Sequence, residues 1–234
     1  MQIVILAWWL GTRLRPITET IPKPMVEVNN KPFLEYQILM LKKYWFKKIL
    51  MLIGYKGEMI ENYFQDGEKY WVKIEYSYEG DELLWTWWAI RNAYSKLEDN
   101  FIVINGDTYL DYDYHHMIDL YQKSDLAWYF TVLNNVKYDK SNPNLNNNLR
   151  VENGLVKDYI KGINDPKFKY SDSGVYLLHK KILETVVPHQ KQSLESDVLM
   201  PRIKKWLIGA FEVNALFYDI GTFERLELFK NVIV

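Results

Sequence analysis

The chain contains no cysteine, so disulfide bonds and cysteine-based metal sites are excluded. It also has no apolar run approaching the roughly 20 residues that a transmembrane helix needs. Residues 1–7 are too short for the apolar core of a signal peptide with its flanks, and they lead directly into a polar loop. We therefore expect a protein of a reducing compartment, the cytoplasm.

No excess of charge of either sign is present, because 29 basic residues are matched by 30 acidic ones and the formal net charge is -1. Proteins that hold nucleic acids or acidic membranes by general electrostatics carry a basic excess, so we expect neither partner. A chain of 234 residues, 48% of them hydrophobic, fits one globular domain. We find no tandem repeat and no linker that would divide it.

Alternating strand and helix patterns predict an α/β fold. Residues 2–7 form a continuous apolar run, which is typical of a strand buried on both faces of a parallel sheet. Further strands are predicted at 48–53, 72–76 and 101–104, and helices at 32–44, 56–64 and 87–96. These elements alternate with short links, which predicts a Rossmann-like doubly wound sheet over about residues 1–125. Over about 126–234 the rhythm changes, and shorter strands predict a mixed or antiparallel part: 126–133, 149–152, 155–160, 173–178, 209–213 and 215–219, with helices near 180–186, 193–205 and from 222.

A proline-punctuated loop follows the first predicted strand. We call residues 6–24 the cationic loop, because Arg13, Arg15 and Lys23 concentrate positive charge there. Ligands of open α/β sheets bind at the carboxyl ends of the strands. Arginine offers a planar fork for phosphate oxygens, and lysine offers a point charge. The alternative, that these are ordinary solvated charges, is weakened by the prolines that fix the loop.

Two aspartates stand at the ends of predicted strands elsewhere in the chain. Asp107 ends the sequence Asn-Gly-Asp (105–107), and Asp219 begins Asp-Ile-Gly-Thr (219–222). Carboxylates at strand ends suit Mg²⁺, with substrate phosphates completing its coordination. Taken singly, the first motif is also good turn chemistry and the second also fits a helix start with Thr222 as the cap. Together with the cationic loop they predict one site for Mg²⁺ and a polyphosphate.

The order of six motifs resembles the sugar-1-phosphate nucleotidyltransferases. The motifs are Gly-Thr-Arg-Leu-Arg-Pro (11–16), Pro-Lys-Pro-Met (22–25), Tyr-Lys (55–56), Asn-Gly-Asp (105–107), Ser-Gly-Val-Tyr (173–176) and Asp-Ile-Gly-Thr (219–222). In this order they are highly specific, and they span essentially the whole chain. Within the family, the short chain length and the sequences of these motifs are most similar to those of heptose-1-phosphate guanylyltransferases. Glucose- and mannose-1-phosphate enzymes are close alternatives.

The resemblance implies a fold, a reaction and a set of roles. The fold is a single domain of the nucleotide-diphospho-sugar transferase type, with a nucleotide-binding half before about residue 125 and a sugar-binding half after it. A sugar 1-phosphate attacks the α-phosphate of an NTP, GTP being favoured, and pyrophosphate leaves. The implied catalytic residues are Arg13 and Lys23, and the implied Mg²⁺ ligands are Asp107 and Asp219. The implied nucleotide contacts are Leu6, Ala7, Gly11, Thr12 and Thr86, and the implied sugar contacts are Gly174 and Lys161. A homodimer is one of the assemblies that the resemblance makes expected.

Glycine is scarce and tryptophan abundant: the chain has 11 glycines and nine tryptophans. Tryptophan stands where the family pattern places glycine at eight positions: 8, 9, 45, 71, 85, 87, 88 and 206. Only Trp128 is typical of a core aromatic. Glycine serves such positions because it adopts positive φ freely and lets a ligand approach the backbone. We hypothesise an altered or misassigned version of a natural enzyme, and an intact mass that matches tryptophan at all eight sites would exclude misassignment.

Five of these indoles, at 8, 9, 85, 87 and 88, fall on two loops that face the nucleotide in the family's fold. An aromatic side chain buries ~150–250 Å², so the sequence predicts a filled nucleotide pocket and an impaired or engineered scaffold. In the alternative, the indoles turn to solvent and a weakened pocket survives. At 156–162 only Lys161 matches the family's Phe-x-Glu-Lys, which weakens the sugar assignment. A dinucleotide-dependent oxidoreductase is disfavoured, because Gly-x-Gly-x-x-Gly does not follow the first strand.

Overall fold

The computed structural model describes residues 1–79, 86–134, 148–160, 163, 165–185, 199–205 and 207–233. Its strands are β1 (Gln2–Ala7), β2 (Glu27–Val28), β3 (Lys31–Pro32), β4 (Lys48–Ile53), β5 (Lys73–Tyr78), β6 (Asn100–Asn105), β7 (Thr108–Leu110), β8 (Trp128–Asn134), β9 (Leu149–Glu152), β10 (Leu155–Tyr159), β11 (Tyr170–His179), β12 (Gly209–Val213) and β13 (Phe217–Asp219). Its α-helices are α1 (Ile17–Thr20), α2 (Phe33–Lys43), α3 (Gly57–Phe64), α4 (Thr86–Asn92), α5 (His115–Gln122), α6 (Met200–Ile203) and α7 (Phe223–Val232). Within these described ranges, no helix has the length and apolar character needed to cross a membrane.

Strand β1 is buried along its whole length, as its apolar sequence predicts. Its side chains alternate between two cores: Ile3 and Ile5 belong to one cluster, and Val4 and Leu6 belong to the other. Successive side chains of a strand point to opposite faces, so a strand without a polar face needs cover on both sides. Helices α2, α3, α5 and α7 contribute to the first cluster, and α4 and α6 contribute to the second.

Nine strands of the described residues join one mixed sheet, in the order β5-β4-β1-β6-β11-β8-β12-β10-β9. Strands β5, β4, β1 and β6 run parallel to one another. Their carboxyl ends therefore lie along one edge, which we call the carboxyl edge. Strand β11 is antiparallel to both β6 and β8, while β12 is parallel to β8. The predicted doubly wound mixed sheet is confirmed, and the strands of both predicted halves take part in it.

The long elements lie where the sequence predicts them. Strands β1, β4, β9 and β12 match the predicted ranges residue for residue, and α2, α3 and α7 begin within one residue of prediction. The helix predicted near 87–96 is shorter, because α4 ends at Asn92 and a 3-10 turn follows at Tyr94–Lys96. The segment 180–186 forms a 3-10 helix at Lys180–Thr185. Of the helix predicted at 193–205, α6 is the α-helical part among the described residues, and residues 193–198 lie outside them.

Trp45 ends helix α2 in the conformation that usually belongs to glycine. Its φ is 65°. The Phe46 N–H donates to the Leu41 carbonyl (3.0 Å), and the Trp45 N–H donates to the Lys42 carbonyl (2.9 Å). This pair of bonds is the Schellman motif, whose left-handed position is most often glycine. Trp45 therefore has the positive φ that is expected of a glycine position, and the residue is 76% exposed.

Trp71 occupies an equivalent position after the 3-10 turn Glu68–Tyr70. Its φ is 62°, its N–H donates to the Glu68 carbonyl (2.9 Å), and the Val72 N–H donates to the Gly67 carbonyl (3.3 Å). The indole is 77% exposed. Both indoles are exposed and therefore contribute little packing. Each residue also holds its backbone in a left-handed conformation, which costs an L-residue roughly 1–2 kcal/mol.

We expect Trp45→Gly and Trp71→Gly each to raise the free energy of unfolding by about 1 kcal/mol, because the strain is removed and little buried area is lost. The gain at Trp45 should be the smaller, since Lys47 Nζ lies 5.4 Å from its ring and that cation–π contact is lost. Urea unfolding of the single variants measures both. The control is Trp128→Gly in the core, 1% exposed, which should instead destabilise by about 3–5 kcal/mol. A loss of stability at both exposed sites would contradict this account.

Candidate active site

The turn that carries Asp107 is fixed against the end of β1. The Gly106 N–H donates to the Leu6 carbonyl at 2.9 Å. A Cβ on Gly106 would lie 2.5 Å from that same oxygen, so only glycine allows the two backbones to approach this closely. Below the turn, the fully buried Gln37 of α2 donates from Nε2 to the Asn105 carbonyl (2.9 Å) and to the Thr108 carbonyl. The Asp107 carboxylate is therefore presented at the carboxyl edge by a turn held from two sides.

Lys23 of the cationic loop meets this carboxylate directly. Its Nζ lies 2.5 Å from Asp107 Oδ2, and the lysine is 5% exposed. Lys23 begins the 3-10 turn Lys23–Met25, which the flanking proline Pro22 precedes. Its stem packs against Gly11, whose φ is 62° and whose Cβ position would lie 2.9 Å from Lys23 Cβ. The loop therefore places the buried ammonium of Lys23 against Asp107, a candidate metal ligand 84 residues further along the chain.

Asp219 reaches the same place through a short strand pair. Strand β13 pairs antiparallel with β7, and Asp219 lies opposite Thr108, the residue after Asp107. The Asp219 carboxylate accepts two bonds from Arg225 Nη1 (2.9 and 2.7 Å) and one from the Gly221 N–H (2.8 Å). Thr222 caps α7 by accepting the Arg225 N–H (3.4 Å), so the predicted cap is confirmed, and the role of Asp219 as a metal ligand stays a prediction.

A cleft of about 190 Å³ joins these groups at the carboxyl edge. Arg13 enters it from the 3-10 turn Thr12–Leu14, and its Nη2 lies 3.3 Å from the Cβ position of Gly221. The cleft therefore brings together three of the four predicted catalytic and metal-binding residues, Arg13, Asp107 and Asp219, and the fourth, Lys23, contacts Asp107. Its lining is Arg13, Asn105, Asp107, Thr108, Asn148, Tyr159, Asp172, Ser173, Gly174, Phe217, Asp219 and Arg225.

Gly174 forms the floor of the cleft on the β11 side. Its φ is 70°, and a Cβ would lie 2.7 Å from Asn105 Nδ2 and 3.0 Å from Thr108 Oγ1. The pairing of β11 with β8 is irregular between Asp172 and Tyr176, and the Gly174 N–H donates to Asp172 Oδ1 (2.9 Å). A bulge at this point turns the backbone of β11 towards the cleft.

A model of the nucleotidyl transferase family matches residues 2–231 of the chain. The chain belongs to the nucleotidyl transferase family. Two D-glycero-alpha-D-manno-heptose 1-phosphate guanylyltransferases, from Campylobacter jejuni and Aneurinibacillus thermoaerophilus, are each 34% identical to it, over 94% of this chain and 95% and 93% of theirs. HddC from Yersinia pseudotuberculosis, solved in complex with GMP-PN, is 33% identical with a TM-score of 0.77, over 97% of this chain and 96% of that one. The resemblance read from the motifs is confirmed.

The structure does not show what the remaining predicted site residues of this nucleotidyl transferase contact. Leu6 and Ala7 are fully buried as residues of β1. Thr12 is exposed at the start of its 3-10 turn. Thr86 begins α4, but its side chain lies outside the described residues, and so does the whole of Lys161. Their roles stay predictions.

The tryptophans divide into different environments, and one prediction about them is wrong. Trp87 does not face a nucleotide pocket: it is 1% exposed and stacks on Trp128 with ring centroids 5.2 Å apart. The reason is the helix that begins at Thr86, which turns Trp87 and Ile90 to the same buried face. Trp88 is half-buried against the same core, and Trp85 and Trp206 lie outside the described residues.

Trp8 and Trp9 do lie at the carboxyl edge, directly after β1. Their rings stack with centroids 4.5 Å apart at 13°. Trp8 is half-buried against the second core, and Trp9 is 36% exposed. Among the described residues, the buried Trp8 Nε1 has no hydrogen-bond partner. The stacked pair therefore lies at the start of the cationic loop, with one ring against the second core and the other partly exposed.

The site's suitability for Mg²⁺ can be judged from its donors. Asp107 and Asp219 supply hard carboxylate oxygens in one cleft, and no cluster of three or more acidic, histidine or cysteine ligands occurs among the residues that the structure describes. Magnesium is usually held by one or two carboxylates with substrate phosphates, so the donor set fits. Asp107 is already paired with Lys23, and Asp219 with Arg225. A bound Mg²⁺ would therefore share each carboxylate with the paired side chain.

Sequence reasoning missed Arg225 and Gln37. Arg225 looks like any helix arginine, and its role depends on where Asp219 points. One signal exists: it stands three residues after the cap Thr222, where a side chain can turn back over the helix start. Gln37 carries a weaker signal, since a glutamine that falls within an otherwise apolar helix face needs buried partners.

Proposed function

We propose that this chain transfers a nucleotidyl group from an NTP to the phosphate of a sugar 1-phosphate and releases pyrophosphate. The observation that carries the proposal is the cleft at the carboxyl edge, where Asp107 and Asp219 stand beside Arg13, Lys23 and Arg225. Two anions for a metal and three cations for phosphates suit a reaction between two phosphorylated substrates.

The chemistry asks for positioning and charge stabilisation. A phosphate oxygen of the sugar 1-phosphate attacks the α-phosphorus, the new P–O bond forms, and the bond to the β-phosphate breaks with its electron pair leaving on pyrophosphate. No protein nucleophile or proton transfer is required. Negative charge gathers on the α-phosphate oxygens in the transition state, and fixed cations stabilise it. We assign this task to Arg13 and Lys23.

Mg²⁺, when bound, would polarise the phosphoryl oxygens and shield the charge of the leaving pyrophosphate. Asp107 and Asp219 are the residues that would hold it. Lys23 holds the Asp107 carboxylate in place, while Arg225 and the Gly221 N–H orient that of Asp219. Gly174, by bringing the β11 backbone to the cleft, would face the sugar.

GTP is the proposed nucleotide, and heptose 1-phosphate or mannose 1-phosphate the proposed acceptor. The support is the guanylyltransferase activity of two relatives at 34% identity and the GMP-PN complex of a third protein. A coupled pyrophosphate-release assay with Mg²⁺, each of the four NTPs and heptose, mannose and glucose 1-phosphates tests the proposal. We expect release that needs both substrates and is fastest with GTP. Pyrophosphate release that ignores the sugar phosphate would overturn it.

A second candidate is a non-catalytic scaffold of the same fold. The stacked pair Trp8–Trp9 favours it, because two indoles stand where the loop after β1 would approach phosphates. The same assay separates the two. No release by the chain, with release restored when both positions are glycine, would assign the present chain to the scaffold and the glycine form to the enzyme.

A further inference from the structure

The Tyr55–Lys56 motif is one of the six that run along the chain, and the proposed chemistry gives it no task. It follows β4 after one residue, and β4 is paired on both sides, with β1 and with β5. Helix α3 begins directly after it, and the Gly57 N–H donates to the Gly54 carbonyl (2.9 Å), which closes the turn around the motif. The motif therefore stands at the carboxyl edge on a rigid base, a doubly paired strand and a helix.

Both side chains of the motif bind the carbonyl end of α1 in the cationic loop. The Tyr55 hydroxyl donates to the Glu19 carbonyl (2.9 Å). Lys56 Nζ donates to the same carbonyl (2.9 Å) and to that of Thr20 (2.8 Å). The last carbonyls of a helix have no partner inside it, and α1 has no basic residue of its own in its last turn. We call this arrangement, Tyr55 and Lys56 bound to α1, the α1 clamp.

Helix α1 in turn holds the backbone of Gly11. Thr18 of α1 is 2% exposed, and its Oγ1 donates to the Gly11 carbonyl (2.8 Å). The same carbonyl accepts the Leu14 N–H (2.8 Å), which closes the 3-10 turn that carries Arg13. The Cβ position of Gly11 lies 2.9 Å from Lys23 Cβ. Gly11 is therefore the point at which α1, the turn of Arg13 and the stem of Lys23 meet.

The two cations need this support because their loop has little regular structure of its own. Between β1 and β2 the chain forms two 3-10 turns and the single helical turn α1. Cations stabilise a transition state best when they are fixed before the reaction, and a displacement of about 1 Å can cost roughly 100-fold in rate. The α1 clamp joins this loop to the sheet through a tyrosine hydroxyl and a lysine ammonium, and a charged donor makes the stronger bonds.

We propose that Tyr55 and Lys56 are positioning residues for nucleotidyl transfer. Through α1 and Gly11 they hold the two cations, Arg13 and Lys23, where the phosphates bind. The inference rests on the proposed function and adds to it the support on which both cations depend. Neither clamp side chain acts on the phosphates itself, since both donate to carbonyls of α1.

Hydrogen exchange of the ligand-free full chain, measured by mass spectrometry, tests the first step. Lys56→Met keeps the aliphatic stem and removes the donors, so peptides covering residues 10–26 should exchange about tenfold faster, while those of β1 and β4 stay unchanged. Lys56→Arg can still donate to both carbonyls and should retain the protection. The matched control is Lys69→Met. Lys69 lies 5.1 Å from the ring of Tyr70, much as Lys56 lies 5.4 Å from that of Tyr55, but it precedes β5 at the opposite edge of the sheet.

A double-mutant cycle tests the second step, in whichever of the unchanged chain and Trp8→Gly/Trp9→Gly releases pyrophosphate faster. Lys56→Met should lower kcat by about tenfold and change KM for the sugar 1-phosphate little, because fixed cations act mainly in the transition state. Thr18→Val removes the bond to Gly11 and should cost a similar factor. Together the two substitutions should still cost about tenfold instead of about 100-fold, because both break the same connection.

Unchanged exchange over residues 10–26 in Lys56→Met would contradict the clamp. Faster exchange with unchanged kcat, or losses that multiply in the cycle, would show that the clamp serves the fold alone and would end the proposal. No pyrophosphate release from either form of the chain would refute the proposed function, and the positioning role with it, even where exchange changes as expected.

The melting temperature of Lys56→Met, compared with that of Lys69→Met, separates local loosening from loss of the fold. Tyr55→Phe carries the same tests if Lys56→Met is unstable. It removes one neutral hydrogen bond, so both effects should be smaller, about threefold.

Discussion

Replacing Trp8 and Trp9 together by glycine is expected to increase the affinity of the chain for GTP with Mg²⁺ by about tenfold or more. The two indoles stack on each other immediately after β1, where the loop starts that brings Lys23 to Asp107. Glycine would expose the backbone N–H groups of this loop to phosphate oxygens, which is the common way such loops bind anions. It would also remove an indole N–H that is buried without a partner among the described residues.

Isothermal titration with a non-hydrolysable GTP analogue measures this effect. Trp45→Gly/Trp71→Gly is the matched control, since it makes the same exchange at two exposed positions that precede β4 and β5, at the opposite edge of the sheet. Its affinity should equal that of the unchanged chain. If Trp8→Gly/Trp9→Gly also leaves the affinity unchanged, the indoles turn aside for the nucleotide, and the pocket survives as the alternative interpretation of the sequence holds.

The sequence predicts best where a single element determines its own structure. Strands β1 and β4 are apolar runs that each begin at one polar residue, Gln2 and Lys48, so their extent follows largely from composition. The three-residue strands β7 and β13 have no periodicity to detect, and neither was delimited correctly. Their pairing joins residues 108 and 219, and such a contact depends on the assembled sheet. It is nevertheless the contact that brings Asp219 to Asp107.

The sequence predicts the two carboxylates of the site but not the residues that position them. Asp107 and Asp219 could be found because carboxylates at strand ends converge on one edge. Arg225 and Gln37 could not, because their functions depend on side-chain directions that no local pattern encodes. The error at Trp87 has a simpler cause. Trp87 and Ile90 are three residues apart, which is the spacing of a buried helix face, and this local spacing decides where the Trp87 side chain points.

The largest effect is expected from Asp107→Asn, which should lower kcat for nucleotidyl transfer by about 10³-fold. The amide keeps the shape of the side chain but removes the charge that would hold Mg²⁺ and that now faces Lys23. The matched control is Asp111→Asn. Asp111 also pairs with a lysine, Lys43, at 2.9 Å, but that pair is outside the cleft and its lysine is exposed. Exposed pairs contribute ~1 kcal/mol at most, so the control should keep its activity.

Loss of the Asp107 charge also leaves the ammonium of Lys23 buried beside a neutral amide, which costs stability. Lost activity could therefore reflect unfolding, and a second variant separates the two effects. Asp107→Asn with Lys23→Met removes both charges, so its melting temperature should recover towards that of the unchanged chain. Its activity should not recover, because neither the metal ligand nor the phosphate cation is restored. Recovery of turnover in the double variant would show that Asp107 and Lys23 stabilise the fold and take no part in the transfer.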